Sequence, residues 1–332
     1  MRQLSIMTII SSCTLSTLKE AAKSLQQGNL VAFPTETVYG LGADATNKDA
    51  VARIYEVKGR PTGHPLIVHI SSLNVLDKWT REVPEYAITL ARAFWPGPMT
   101  LILPRTELAK DFITGGQDNV GIRVPSHPLA LSLLEEFESL GGFGVAAPSA
   151  NRFGKVSPTS AQAVQEELSD YLTPNDLILD GGPSLVGIES TIIDCTKSNP
   201  IILRPGSITA KNISEILNFD IETNLIGGKN KIKAPGLLES HYSPKAKIFL
   251  SGKPSTGDGF IALSNFPTPT GAIRLISPIN NEEYARKLYY GLRLADSKNL
   301  AKVIVIPPIG DDISVAICDR LKKASINSSN SS

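Results

Sequence analysis

Histidine, cysteine and tryptophan are scarce here: four, three and two residues in a chain of 332. His64, His69, His127 and His241 lack metal-ligand spacing with one another, which argues against a protein-held zinc site. Cys13, Cys195 and Cys318 form no C-x-x-C pair, so they read as reduced, buried thiols of a cytoplasmic protein. Aromatic residues make up only 6% of the chain, and no aromatic RNA-binding signature is present. No charge of one sign dominates: the formal net charge is +1. That excludes a global field steering the protein to nucleic acid or membrane, and leaves room for a local basic pocket. No apolar run approaches the ~18 residues of a spanning helix. The opening MRQLSIMTIISSCTLSTLKE is broken by serines and threonines and is not read as a secretory signal. The tail SINSSNSS is polar and reads as frayed.

Two phosphate-loop signatures are also missing. Gly154-Lys155 is followed by Val156 and has Ser149 where a Walker loop needs its first glycine. Gly40-Leu41-Gly42-Ala43-Asp44-Ala45 matches a dinucleotide fingerprint only loosely, because Pro34 to Tyr39 separates it from the preceding strand. No G-x-S-x-G elbow supports a hydrolase.

What is present is an ordinary globular balance, 42% apolar and 20% charged, long enough for two domains. A candidate capping box at Thr17 and Glu20 opens a helix that Gly28 stops. Asn47 caps a second helix, and Pro84 opens one to about Phe94. Extended segments are read at Leu30 to Phe33, Pro65 to Ile70, Met99 to Leu103, Val120 to Val124, Gly144 to Ala147, Leu177 to Leu179, Ser190 to Asp194 and Ile201 to Leu203. Several lie too close together for an intervening helix, so the sheet is expected to be mixed and twisted. A linker collecting Gly227, Gly228, Pro235, Gly236 and Pro244 is long by normal loop statistics. After it, strands alternate with helices over Glu282 to Leu294 and Ile313 to Lys323, as in a smaller doubly wound, Rossmann-like α/β domain. The expected division is 1–208, a linker and candidate lid over 209–245, and 246–332.

Polar groups punctuate the apolar strands. Thr35, Thr37 and Tyr39 follow the strand ending at Phe33. Lys58 and Arg60 flank Gly59, and Ser149 and Asn151 flank Ala150. On an extended backbone each pair would share one face. Two cations with a hydroxyl and an amide could then grip an anion such as a triphosphate. Arg123 interrupts the strand VGIRVP, where a cation is costly unless it meets a structural carboxylate or a ligand carboxylate. His69 lies in an apolar strand, and a satisfied core histidine is its default reading. Ser190 stands at the start of one more strand and Arg204 at the close of another. This repetition is what a single pocket along one sheet edge would produce.

In order, PTETVYGLGADA, KGRP, WPGPMTLIL, VGIRVP, APSANRFGKVSPT, GIESTIID, ILRPGS and APGLLESHYSP make the chain similar to the threonylcarbamoyl-AMP synthases, in their longer two-domain form with a YrdC-like catalytic domain. The resemblance covers nearly the whole chain. It implies an α/β fold, a mixed twisted sheet followed by the Rossmann-like domain, and a nucleotidyltransferase. L-threonine, bicarbonate and ATP would give threonylcarbamoyl-AMP and pyrophosphate, and a partner machine would pass the group to tRNA beside the anticodon. It implies Lys58, Arg60, Ser149 and Asn151 as a catalytic tetrad. Thr37, His69, Arg123, Ala147 and Ser190 fall on the threonine side. Arg60, His64, Asn119, Ser149, Ser157, Arg204 and Tyr242 fall on the nucleotide side. His64 stands where asparagine is frequent in the family. Mg2+ is expected to arrive on ATP, since no carboxylate cluster offers a protein-held metal site. Contact with tRNA is expected to be indirect, and no membrane partner is expected. The competing readings are an RNA-binding module without catalysis, a carbamoyltransferase accessory domain and a nicotinamide oxidoreductase.

Overall fold

In chain order the strands are β1 (Ile9–Ile10), β2 (Val31–Phe33), β3 (Gly40–Asp44), β4 (Ile67–His69), β5 (Met99–Pro104), β6 (Asn119–Arg123), β7 (Val145–Ala146), β8 (Leu177–Leu179), β9 (Thr191–Asp194), β10 (Ile201–Arg204), β11 (Glu222–Thr223), β12 (Lys247–Phe249), β13 (Gly259–Ile261), β14 (Ile273–Ile276) and β15 (Lys302–Val305). The helices are α1 (Leu15–Gln26), α2 (Lys48–Lys58), α3 (Leu76–Trp79), α4 (Glu85–Phe94), α5 (Asp111–Thr114), α6 (Pro128–Ser139), α7 (Ala161–Leu168), α8 (Ala210–Leu217), α9 (Asn281–Ser297) and α10 (Ser314–Ser329). The structure, a computed structural model, describes residues 9–10, 14–219, 221–223, 232–236 and 242–329.

The first sheet has eleven strands in the order β1-β8-β2-β3-β7-β4-β6-β5-β9-β10-β11. It is mixed: β4 runs parallel to β6, while β5 runs antiparallel to β6 and parallel to β9. Side-chain alternation divides its two faces. Val68, Leu101, Leu103, Val120, Ile122 and Ile193 join the main core with α2, α4 and α7. On the other face, α1 and α6 cover β2, β7 and β8 through Leu18, Leu25, Leu133 and Phe137. Farther along that face Ile67, Ile102, Ile192 and Leu203 are packed by Ala234.

The second sheet is all parallel, in the order β12-β15-β13-β14. Tyr284, Leu288 and Leu292 of α9 and Ile317 and Leu321 of α10 pack in one core with Val303 and Val305. That core also takes in Val38, Val156 and Ile188 from loops of the first sheet. The fold is therefore the mixed sheet followed by a smaller Rossmann-like unit.

Local details differ from expectation where side-chain chemistry outcompetes pattern. The first helix is capped by Thr14, whose hydroxyl accepts from Thr17 N–H at 3.3 Å, rather than by a Thr17–Glu20 box. Gly40–Asp44, absent from the extended segments read above, is a strand. Asn47 does cap α2. Cys195 is buried, Cys318 is only half-buried, and Cys13 lies outside the described residues.

Candidate active site

The site lies on the sheet face, beneath residues 232–236, rather than along a sheet edge. Ile67 and His69, two apart on β4, both line it, as the two-residue period of a strand requires. Beside them are Thr37, Gly40, Lys58, Arg60, Arg123, Ala147, Ser149, Asn151, Glu189, Ser190, Arg204 and Tyr242. Eleven of the fourteen residues singled out above are thus brought together. His64, Asn119 and Ser157 do not line the cavity. His64 sits edge-on against Phe153, 5.5 Å between ring centres. Asn119 opens β6 opposite Pro104. Ser157 donates to the Glu189 carboxylate at 2.7 Å.

The pairs Lys58/Arg60 and Ser149/Asn151 do not work through extended backbone. Lys58 is the last residue of α2, and Gly59 follows at φ 59°, the left-handed helix cap that glycine adopts without strain. Lys58 Nζ donates to the Ser149 and Asn151 carbonyls, so this side chain ties the two signatures together from below. Burial first, then Arg60, drives its pKa well below the usual lysine value. Ser149 bridges Gly40 on β3, and the Asn151 amide donates to the Arg152 and Lys155 carbonyls.

Arg123 meets a structural carboxylate. Its guanidinium donates to Glu36 Oε1 at 2.7 Å, to Thr37 Oγ1 at 2.9 Å and to the Gly97 carbonyl at 3.3 Å. Glu36 was invisible to motif reasoning because one carboxylate between threonines has no periodicity; the cation stranded in β6 was the available signal. Arg204 donates to the Ser190 carbonyl and hydroxyl and to the Pro235 carbonyl, and Ser190 Oγ pairs with Thr100 Oγ1.

Three buried polar atoms in this wall have no hydrogen-bond partner among the described residues: Arg60 Nε, His69 Nδ1 and Asn151 Oδ1. Buried polar groups are ordinarily satisfied, so these three atoms could each hydrogen-bond to a ligand in the cavity. Four lining side chains are basic, Lys58, Arg60, Arg123 and Arg204, against one lining carboxylate, Glu189. The wall is therefore suited to a polyanion.

Burial, then Arg123, lowers the His69 pKa to about 3. The ring is neutral at pH 7 and can orient a ligand without storing a proton. The folded pKa lies below the ordinary 6.5, so the unfolded chain takes up a proton first as pH falls. Stability tied to His69 is present above about pH 6.5 and is lost towards pH 3. Urea midpoints from pH 6.5 to 5 should therefore fall less steeply in His69→Gln than in the parent. Equal slopes would remove His69 from the acid response.

The family described as "Telomere recombination" (Sua5, YciO, YrdC) matches residues 23–206, and "Threonylcarbamoyl-AMP synthase, C-terminal domain" matches 208–325. A threonylcarbamoyl-AMP synthase of Pyrococcus abyssi is 38% identical over 93% of this chain and 94% of its own. The chain belongs to the threonylcarbamoyl-AMP synthase family. A synthase of that name from Schizosaccharomyces pombe is 35% identical over 80% of this chain and 71% of its own. A crystal structure of P. abyssi Sua5 complexed with L-threonine superposes with a TM-score of 0.85, at 36% identity, over 96% of this chain and 97% of that one. Of the four buried carboxylates among the described residues, Glu189 lines this cavity and Glu36 neighbours it, and both are engaged by arginine.

Proposed function

We propose that this pocket joins L-threonine, bicarbonate and ATP into threonylcarbamoyl-AMP and pyrophosphate, for later transfer to tRNA by separate machinery in the cytoplasm. The observation that carries the reading is Arg60, a buried cation whose Nε has no partner among the described residues, in a wall with Arg204 and the unpaired His69 Nδ1. The threonine amine adds to bicarbonate with loss of water, giving a carbamate. A carbamate oxygen attacks the α-phosphorus and pyrophosphate leaves. Charge builds on phosphoryl oxygens, so positioned cations rather than a covalent nucleophile do the catalytic work. Arg60 and Arg204 face the nucleotide, with Ser149 and Asn151 beside them and Lys58 bracing both segments. Thr37, His69, Arg123, Ala147 and Ser190 surround threonine. Among the described residues no group of three or more carboxylate, histidine or cysteine side chains could hold a metal, and ATP is read as entering as its magnesium complex. No described helix is long and apolar enough to cross a membrane. The relatives named as synthases support catalysis over an RNA-binding module. Pyrophosphate release should need threonine and bicarbonate together; equal release in carbon-dioxide-free buffer would sink the carbamate step.

We read 1–208 as the catalytic domain, 246–332 as the second domain and 209–245 as linker and lid. Residues 220, 224–231 and 237–241, with His241, lie outside the described residues. The cavity measures about 50 Å³, room for a few waters and far below the roughly 300–1,000 Å³ of a ligand pocket. A nucleotide therefore needs a wall to move. Pro235, Gly236 and Tyr242, from the segment between the two sheets, line the cavity as well. Their hold includes Arg204 on the Pro235 carbonyl at 2.9 Å and Lys323 on the Gly236 carbonyl at 2.8 Å. Proteolysis within 219–245 should slow when ATP and threonine are both bound, and Tyr242→Ala should lower turnover without unfolding the protein. Equal cleavage in every ligand state would make the segment a tether.

A further inference from the structure

The second domain places side chains at the wall of the cavity. Glu189 stands just before β9, and its carboxylate is held from both sides. Ser157 Oγ donates at 2.7 Å from the first domain. From the second, Tyr289 Oη on α9 lies 2.9 and 3.1 Å from the two carboxylate oxygens, and Arg320 Nε on α10 lies at 2.8 Å. A carboxylate so fully engaged is not free to serve as general base or metal ligand. Burial pushes its pKa up, but Arg320 and then Arg204 outweigh this and hold it down to about 2. It stays an anion at any working pH.

The same guanidinium has a second task. Arg320 Nη2 donates to the Pro205 carbonyl at 3.0 Å. Arg320 therefore fastens the residue before Ser190 and the residue after Arg204. Those two are themselves joined, Arg204 Nε and Nη2 meeting the Ser190 carbonyl at 3.0 and 2.9 Å. The result is a closed ring, Arg320–Glu189–Ser190–Arg204–Pro205, with two peptide links and three polar contacts. Helix α9 backs it closely: Gly187 has φ 83°, and a Cβ there would come within 2.4 Å of Arg286 Cα. Tyr289 also stacks on Tyr242 of the cavity wall, with ring centres 5.7 Å apart, and Arg320 lies over that ring at 5.4 Å.

We propose that Arg320 and Tyr289 are positioning residues of the catalytic site, fixing Ser190 on the threonine side against Arg204 on the nucleotide side. This rests on the synthase reading of the pocket. The second domain is then part of the active site's frame rather than an appendage. The geometry needs a fork: one nitrogen reaches the carboxylate while another reaches the carbonyl, which a lysine ammonium cannot reproduce at fixed separation.

The test compares the full-length parent with Arg320→Lys, Tyr289→Phe and Glu189→Gln, measuring kcat, KM for ATP and threonine, ATP affinity by calorimetry, and Tm. Arg320→Lys keeps the charge and loses the fork, and its ATP KM should rise roughly tenfold. Tyr289→Phe removes only a hydroxyl from a stacked ring and should raise it about three- to tenfold, as should Glu189→Gln. If Arg320→Lys fails to fold, Tyr289→Phe decides. A lowered Tm with unchanged KM values and ATP affinity in folded protein overturns the proposal, since a merely structural tie moves only stability. If the parent binds ATP and makes no threonylcarbamoyl-AMP, the synthase reading fails instead, and ATP affinity in the same variants still judges the ring.

Discussion

Arg60→Ala should leave a folded protein that uses ATP about 100-fold less well, with an unliganded Tm equal to or above the parent's. The sign on stability is the distinctive part. Arg60 is 7% exposed, gives one hydrogen bond to the Pro65 carbonyl at 3.0 Å, and lies 5.7 Å from the Phe153 ring centre. Among the described residues it has no ion pair with a carboxylate, and burial lowers its pKa to about 10. It is still a cation at neutral pH. A buried charge without a counter-charge costs stability, so removing it relieves the unliganded protein. The same removal deletes a charge-assisted contact, ordinarily about 1.5–3 kcal/mol, from bound triphosphate. The rise in Tm that saturating ATP gives the parent should shrink accordingly. A folded variant with a lower Tm and the parent's ATP KM would make Arg60 structural.

Arg123 should behave in the opposite way. Arg123→Ala strands the Glu36 carboxylate, whose side chain is 6% exposed, and breaking a buried pair from one side costs about 3–5 kcal/mol. Threonine use should fall too, but in a protein with a much lower Tm, so the loss cannot be read from that variant alone. The double change Arg123→Ala with Glu36→Ala removes both charges. It should recover most of the lost stability and none of the threonine affinity. Urea melts and threonine titrations on the parent, both single variants and the double complete the cycle. A double variant as unstable as Arg123→Ala would show that the stranded charge is not the cause. Normal threonine affinity in the double would remove Arg123 from the substrate site.

These two arginines show how far the sequence could be read. Arg60 stood out in the Lys58-Gly59-Arg60 signature and Arg123 because it interrupts an apolar strand, and alternation gave the strands themselves: Met99 to Leu103 and Val120 to Val124 are β5 and β6 to within one residue. What distinguishes the arginines is the partner, and partners are set by folding. Glu36 lies 87 residues from Arg123, and Glu189 lies 131 from Arg320. Neither acid carries a local pattern. Lys58 was legible as a site residue, but its engagement with two carbonyls depends on how the loop after β7 passes beneath α2. The pocket's place on a sheet face was hidden for the same reason. It follows from small residues, Gly40 and Ala147, meeting across strands far apart in the chain.

The order of strands in the first sheet has a consequence during synthesis on the ribosome. Thr100 waits 90 residues for the Ser190 hydroxyl it pairs with, β8 slots beside β2 at the far side, and Arg320 closes the ring only from α10. The first two can form once β8 and Ser190 have emerged, whereas the Arg320 contact waits for nearly the whole chain. The basic wall is therefore incomplete until Arg204 has been made, and the ring that holds Arg204 against Ser190 stays open until the final helix arrives.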